Sequence, residues 1–199
     1  MGRKSFASDG RPVVKFAGVH QDQHLIDRIA ARDVRAFEDL YRNYYPRLTR
    51  FLTNLIHRPA LVEEILNDTM IAVWNRPDRF NGTSKLSTWI FAIAYRIAMT
   101  ALRRFDEPVE DKDWETRSSP HDAADRNLGD MRLQQLVLQA LLKLSPDHRA
   151  VVDLTYFDEM GYREIAEIMD CPVDTVKTRM FHARRHLRHH LGGELADWV

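Results

Sequence analysis

The densest concentration of chemistry lies near the C-terminus. Between Thr175 and His190 the chain carries five Lys or Arg, four His and no acid, whereas residues 136–174 carry three basic and eight acidic side chains. At about 100° per residue, Val176, Met180, Ala183, Leu187 and Leu191 fall on one narrow helical stripe that must face a core. Thr178, Phe181, His182, Arg185, Arg188 and His189 lie on the opposite face, with Thr175 and Lys177 at the leading end. A basic helix on an otherwise acidic unit is the footprint of a helix meant for the DNA major groove, where its N-terminal residues reach base edges. Lys177 can donate to guanine O6 and N7. Arg184, Arg185 and Arg188 suit phosphates, which position a helix without reading sequence. Asp174 looks out of place beside DNA, and its expected role is to N-cap the helix. His182, His186 and His190 recur every four residues, but three ligands on one continuous helix cannot wrap a tetrahedral ion, so no metal and no cofactor is expected. Their protonation near pH 6.5 should tighten DNA contact at lower pH.

The elements that position this helix are legible upstream of it. The run Ser145-Pro146-Asp147 combines a capping hydroxyl, a proline at the first helical position and an acid in the first turn. Residues 162–170 then read as a short helix, Cys171-Pro172 as a turn, and residues from about Asp174 to Leu191 as a long helix. Short helix, tight turn and second amphipathic helix make a helix-turn-helix.

The N-terminal half is helical as well. Phe37, Leu40, Tyr41, Tyr44, Leu48, Phe51, Leu52 and Leu55 recur at spacings of three and four. Pro46 inside that stripe predicts a kink or break, and Arg58-Pro59 ends it. Asp22 is the expected cap of a preceding helix. Leu61, Ile65, Thr69, Ala72 and Val73 form another stripe, stopped at Arg76-Pro77. A polar loop over 76–85 leads to a last helix, capped by Ser87, that buries Ile90, Ile93, Ala94, Ile97, Ala101 and Leu102. Trp89 is expected to anchor this helix, while Trp74 and Ile71 are as well placed for the core as for the surface. No sustained alternation of period two occurs anywhere.

Composition bounds the function. The 199 residues carry 29 Lys+Arg and 29 Asp+Glu, a net charge of zero, but the charge is unevenly placed. It is +7 over residues 1–104, −5 over 105–135 and −2 over 136–199. The acidic middle is poor in apolar residues and reads as a flexible linker. A single Cys excludes a disulfide framework and points to a cytoplasmic setting. The longest uncharged apolar run, Trp89 to Tyr95, cannot cross a bilayer, and no secretory leader is evident. The expected architecture is all-α: a mobile tail over 1–21, one small helical domain over 22–105, the acidic linker over 106–134, a helix-turn-helix domain over 135–193 and a short tail over 194–199.

Residues 169–187 (MetAspCysProValAspThrValLysThrArgMetPheHisAlaArgArgHisLeu) resemble region 4 of an extracytoplasmic-function (ECF) sigma factor, a small specificity subunit of bacterial RNA polymerase. Residues 63–74 (GluGluIleLeuAsnAspThrMetIleAlaValTrp) resemble region 2.2, and residues 85–104 resemble regions 2.3 and 2.4. The resemblance implies a non-catalytic protein that binds core polymerase through the β′ clamp helices and the β flap. It implies reading of the −35 element by Thr175, Lys177, Thr178, Arg179, Phe181, His182, Arg184, Arg185 and Arg188. Contact with the −10 element falls to Arg76, Phe80, Asn81, Thr83 and Lys85 in a base-capturing loop, with Tyr95, Arg96, Arg103 and Arg104 holding the strand. The polymerase-docking residues are then Leu61, Glu64, Asn67, Asp68, Ile71 and Trp74. An anti-sigma factor, possibly membrane-bound, is the implied regulator, and nothing points to a homo-oligomer. Asn67, Met70, Thr100, Asp174, Thr178 and His182 depart from common family residues, which leaves the −35 sequence open. A one-component helix-turn-helix regulator with an N-terminal sensing domain is the competing reading. The basic excess of the N-terminal half and the chemistry of its open loop argue against it, and two modest basic surfaces in a neutral chain engage DNA usefully when a larger enzyme holds them together.

Overall fold

The computed structural model describes residues 17–105 and 139–191, and the acidic segment expected to be a linker lies outside them. Every described element is helical. Four helices form the N-terminal unit: α1 (Ala17–Ala30), α2 (Val34–Ile56), α3 (Pro59–Asn75) and α4 (Leu86–Phe105), with a 3₁₀ turn at Pro77–Arg79. The C-terminal unit opens on helical residues 139–142 and continues as α5 (Pro146–Tyr156), α6 (Tyr162–Met169) and α7 (Val173–Leu191).

Local chemistry sets the boundaries. Asp33 caps α2, its carboxylate accepting the Arg35 and Ala36 N–H groups at 3.0 and 3.3 Å. His57 closes α2 in the left-handed region at φ 57°, and Pro59 occupies the first turn of α3. Ser145 caps α5 with Pro146 at the first position, as the sequence indicates.

Four expectations are corrected. Helix α2 runs unbroken through Pro46, because that residue sits on the exposed side, where water can take the carbonyl it leaves free. Asp22 lies within α1 and caps a different helix: its Oδ2 accepts the Leu86 N–H at the start of α4, at 3.2 Å. Ser87 is therefore not the cap, since α4 already begins at Leu86. Helix α1 also starts inside the stretch expected to be a tail.

The core of the N-terminal unit is built from Ile29, Leu40, Leu48, Phe51, Leu52, Ile65, Val73, Leu86, Ile90 and Phe91, all essentially without solvent exposure. In the C-terminal unit Val151, Leu154, Ile165, Ile168, Val176, Met180 and Ala183 are equally buried. The two units pack together, α5 against α2 and α6 against α4, into one continuous apolar cluster.

Candidate nucleic-acid interface

The turn between α6 and α7 aims the basic helix. Asp170 ends α6 in the left-handed region at φ 49°, and the Cys171 N–H bonds back to the Ala166 carbonyl at 3.0 Å. Pro172 then leads into α7, and its carbonyl accepts the Thr175 N–H at 2.9 Å. The stripe read from the sequence is buried at Val176, Met180 and Ala183 and half-buried at Leu187 and Leu191. Lys177, Thr178, Phe181, Arg184, Arg185 and Arg188 are exposed, and Phe181 presents 64% of its surface to solvent.

Three residues of this helix are placed differently. Thr175 is half-buried. Arg179 turns inward to an ion pair with Asp147 and also reaches Cys171 Sγ at 3.6 Å. His182 is half-buried beside His148, with ring centroids 6.2 Å apart, and His186 stands equally far from His148. Burial and these two neighbours lower the His148 pKa. Arg184 is held by α5, its Nε donating to the Tyr156 hydroxyl at 3.2 Å.

The second candidate surface is the 76–85 loop and the outer side of α4. Arg76, Asn81, Thr83, Lys85, Arg96, Arg103 and Arg104 are exposed. The loop is tightly wound: Asn81 Oδ1 accepts from both the Thr83 N–H (3.1 Å) and the Thr83 hydroxyl (2.6 Å). Gly82 sits at φ +71°, a conformation a Cβ would strain. Phe80 is a correction. It is buried, its ring 5.5 Å from that of half-buried Trp89, so it supports the loop from beneath and cannot stack on a base in this arrangement. Tyr95 is buried too, its hydroxyl donating to Asp147 Oδ1 at 2.7 Å, and its pKa is raised chiefly by that burial.

The third surface lies on α3. Glu64, Asn67, Asp68 and Ile71 are exposed, Trp74 is half-buried, and Leu61 is a core residue of the α3 packing. The structure adds a neighbour on α2, which the sequence reading gave only as a helical stripe. Phe37 meets Trp74 edge-on at 5.0 Å, Tyr41 stacks on Tyr45 at 5.0 Å, and Arg32 lies over the Trp74 ring at 5.2 Å. With Val34 and Ile71 exposed, this makes an aromatic and aliphatic band across α2 and α3. The only sequence signal for it is that the α2 stripe, from Phe37 to Leu55, is wider than one buried face needs.

The seam between the units is polar at its centre. Asp158, with a side chain 1% exposed, receives Arg47 and Arg50, each at 3.0 Å. Asn54 Nδ2 donates to Asp153 Oδ1 at 2.6 Å, and Lys85 pairs with Glu164 at 2.6 Å. Burial pushes the Asp153 carboxyl up to about 6, against the opposing pull of Asn54 and Arg50. Below about pH 4 folded and unfolded chains both hold this proton; between about 4 and 6 only the folded chain does. The contribution is thus full at low pH and lost as pH rises through 6. Relative to Asp153→Asn, the wild-type chain should lose about 2 kcal/mol of unfolding free energy between pH 4 and pH 7. Denaturant titrations at the two pH values measure this, and an unchanged difference contradicts it.

Known proteins share this sequence pattern and this fold. The Sigma-70 region 2 model matches residues 40–106 and the Sigma-70 region 4 model matches residues 134–187. The ECF RNA polymerase sigma factor RpoE of Cereibacter sphaeroides is 31% identical over 163 residues, covering 80% of this chain and 88% of its own. The ECF RNA polymerase sigma-E factor of Escherichia coli is 30% identical over 173 residues, covering 82% and 90%. Among solved structures, the sigma factor RpoE of Bartonella quintana, in complex with the anti-sigma factor NepR, superposes with a TM-score of 0.66 at 26% identity, over 79% of this chain and 98% of that one. CnrH, in complex with the cytosolic domain of CnrY, shares the fold with a TM-score of 0.64 at 24% identity, over 87% of this chain and 98% of that one.

Proposed function

This chain belongs to the extracytoplasmic-function family of RNA polymerase sigma factors, and we propose that it binds core polymerase through the α2–α3 band and reads promoters through α7 and the 76–85 loop. The domain limits follow that division: region 2 over 22–105, a linker over 106–134 and region 4 over 135–193. Acting with polymerase places the protein in the cytoplasm. Among the described residues no helix is long and apolar enough to cross a membrane. The Bartonella relative is bound to an anti-sigma factor, and we extend that kind of regulator to this chain.

The observation that carries this reading is the outward face of α7. Thr178, Phe181, Arg185 and Arg188 stand opposite the buried Val176, Met180 and Ala183, with Lys177 exposed at the leading end, on a helix delivered by a tight turn. Nothing else in the fold requires those side chains to be exposed together. The band on α2 and α3 favours a protein partner over an N-terminal sensing domain, because its apolar groups are spread on the surface rather than gathered around an internal cavity.

Promoter engagement needs the units to part. Lys85 and Tyr95 are used at the seam, and Arg179 is held by Asp147 within the C-terminal unit, so in this closed arrangement none of the three also holds DNA. Our proposal therefore assigns Lys85 and Tyr95 to DNA only after separation, and Arg179 only once it leaves Asp147. In vitro transcription with bacterial core polymerase and a promoter library tests the function directly. Initiation above core alone is expected, and its absence would sink the proposal. Arg185→Ala should lower initiation on all active promoters by a similar factor, about fivefold, because a phosphate contact carries no sequence information. A loss confined to a few −35 sequences would instead make Arg185 a base reader.

A further inference from the structure

Asp174 is not a helix cap. Helix α7 begins at Val173, so Asp174 lies inside the first turn, exposed to solvent. Its carboxylate accepts from Lys177 Nζ at 2.9 Å. On a helical wheel Asp174, Thr178, Phe181 and Arg185 share the face opposite the buried stripe, and Lys177 stands on its flank. The Thr178 hydroxyl is committed to the Asp174 carbonyl at 2.9 Å, which leaves the paired acid and lysine as the polar heads presented to solvent at the leading end. A carboxylate at the centre of a face otherwise positive should weaken binding to a phosphate backbone. Its position makes sense where it meets a base edge that donates.

We propose, building on the promoter-binding reading above, that Asp174 is a specificity-determining residue that selects cytosine in the −35 element, with Lys177 reading an adjacent guanine. In the major groove cytosine presents only its N4 amino donor, which a carboxylate accepts. Guanine presents two acceptors and thymine presents O4, so both repel Asp174. Adenine offers its N6 donor beside the N7 acceptor, which a carboxylate cannot satisfy. Lys177 Nζ, held 2.9 Å from the carboxylate, suits guanine N7 and O6. The ion pair orients both heads before DNA arrives, which reduces the rotamer entropy lost on binding.

The test uses full-length chain with core polymerase on a promoter library randomised across the −35 region, sequencing the transcribed templates. For the wild type, one position should be enriched about tenfold for cytosine, next to a guanine. Asp174→Gly should flatten that position while the remaining positions keep their preferences. Asp174→Asn should move it toward adenine, whose N6 and N7 match a carboxamide. Wild-type initiation with no cytosine position, or a profile unchanged in D174G, overturns this assignment alone. A wild-type chain that initiates nowhere overturns the promoter-binding reading itself.

Discussion

Replacing Asp158 by alanine is expected to loosen the two units from each other and to lower the unfolding free energy by about 3 kcal/mol. The carboxylate is almost fully enclosed and receives two guanidinium groups. Removing one partner of a buried pair typically costs about 3–5 kcal/mol, because the remaining charge keeps its desolvation and loses its compensation. Here Arg47 and Arg50 are each more than a third exposed, which favours the lower end. The arginines also lie over aromatic rings, Arg47 over Phe91 at 5.3 Å and Arg50 over Phe157 at 5.3 Å, so they remain partly anchored. Thermal unfolding should show a lower Tm, and small-angle scattering a larger radius of gyration. Both quantities unchanged in D158A would mean that the apolar contacts of the seam suffice without its charges. Asp158→Asn, which keeps the shape, should fall between the two.

The same contacts carry a functional consequence. Lys85, Tyr95 and Arg179 are neutralised or buried by Glu164 and Asp147 in the closed arrangement. Acidic groups of the C-terminal unit therefore cover cationic groups of the N-terminal one, and Asp147 also holds the inward-facing arginine of α7. This gives the zero net charge a structural meaning. On our proposal, part of the charge balance is made of pairs that DNA or polymerase would break. On our reading, the loosened D158A chain should bind promoter DNA more readily than the wild type.

The helices were legible because each repeats an apolar spacing within a few residues. Val176, Met180 and Ala183, and likewise Leu40, Leu48, Phe51, Leu52 and Leu55, are buried as their period demands. Ser145-Pro146 caps α5 because capping depends on adjacent residues. What escaped was long-range. Nothing in the vicinity of Asp22 shows that it caps α4, 64 residues away. Nor does the short connection after α5 reveal that Asp158 will sit between Arg47 and Arg50. Phe80 was read as a loop residue open to a base, but a loop wound by Asn81 and Gly82 can send a large ring inward onto Trp89. Asp174 shows the converse error. A rule for helix starts, applied two residues out of register, gave an acid on the outward face a purely local duty.

Ile71→Asp is expected to weaken binding to core polymerase at least 30-fold while leaving the free protein folded. Ile71 is 54% exposed, so its replacement opens no cavity, and surface changes of this kind usually alter stability by less than about 0.5 kcal/mol. In the proposed complex the side chain belongs to the same apolar band of α2 and α3 as Trp74, Phe37 and Tyr41, a surface of the type where truncation costs about 2 kcal/mol or more. A carboxylate placed there must also lose its hydration without gaining a partner. Fluorescence titration of labelled chain with core enzyme measures the effect, with Tm as the control for folding. The salt dependence separates this surface from the DNA-binding ones. An apolar contact should change little between low and physiological salt, whereas promoter affinity should fall steeply as phosphate counterions compete. Unaltered affinity in I71D would move the polymerase contact off α3. A steep salt dependence of core binding would instead transfer the leading role to the exposed Glu64 and Asp68 on the same helix.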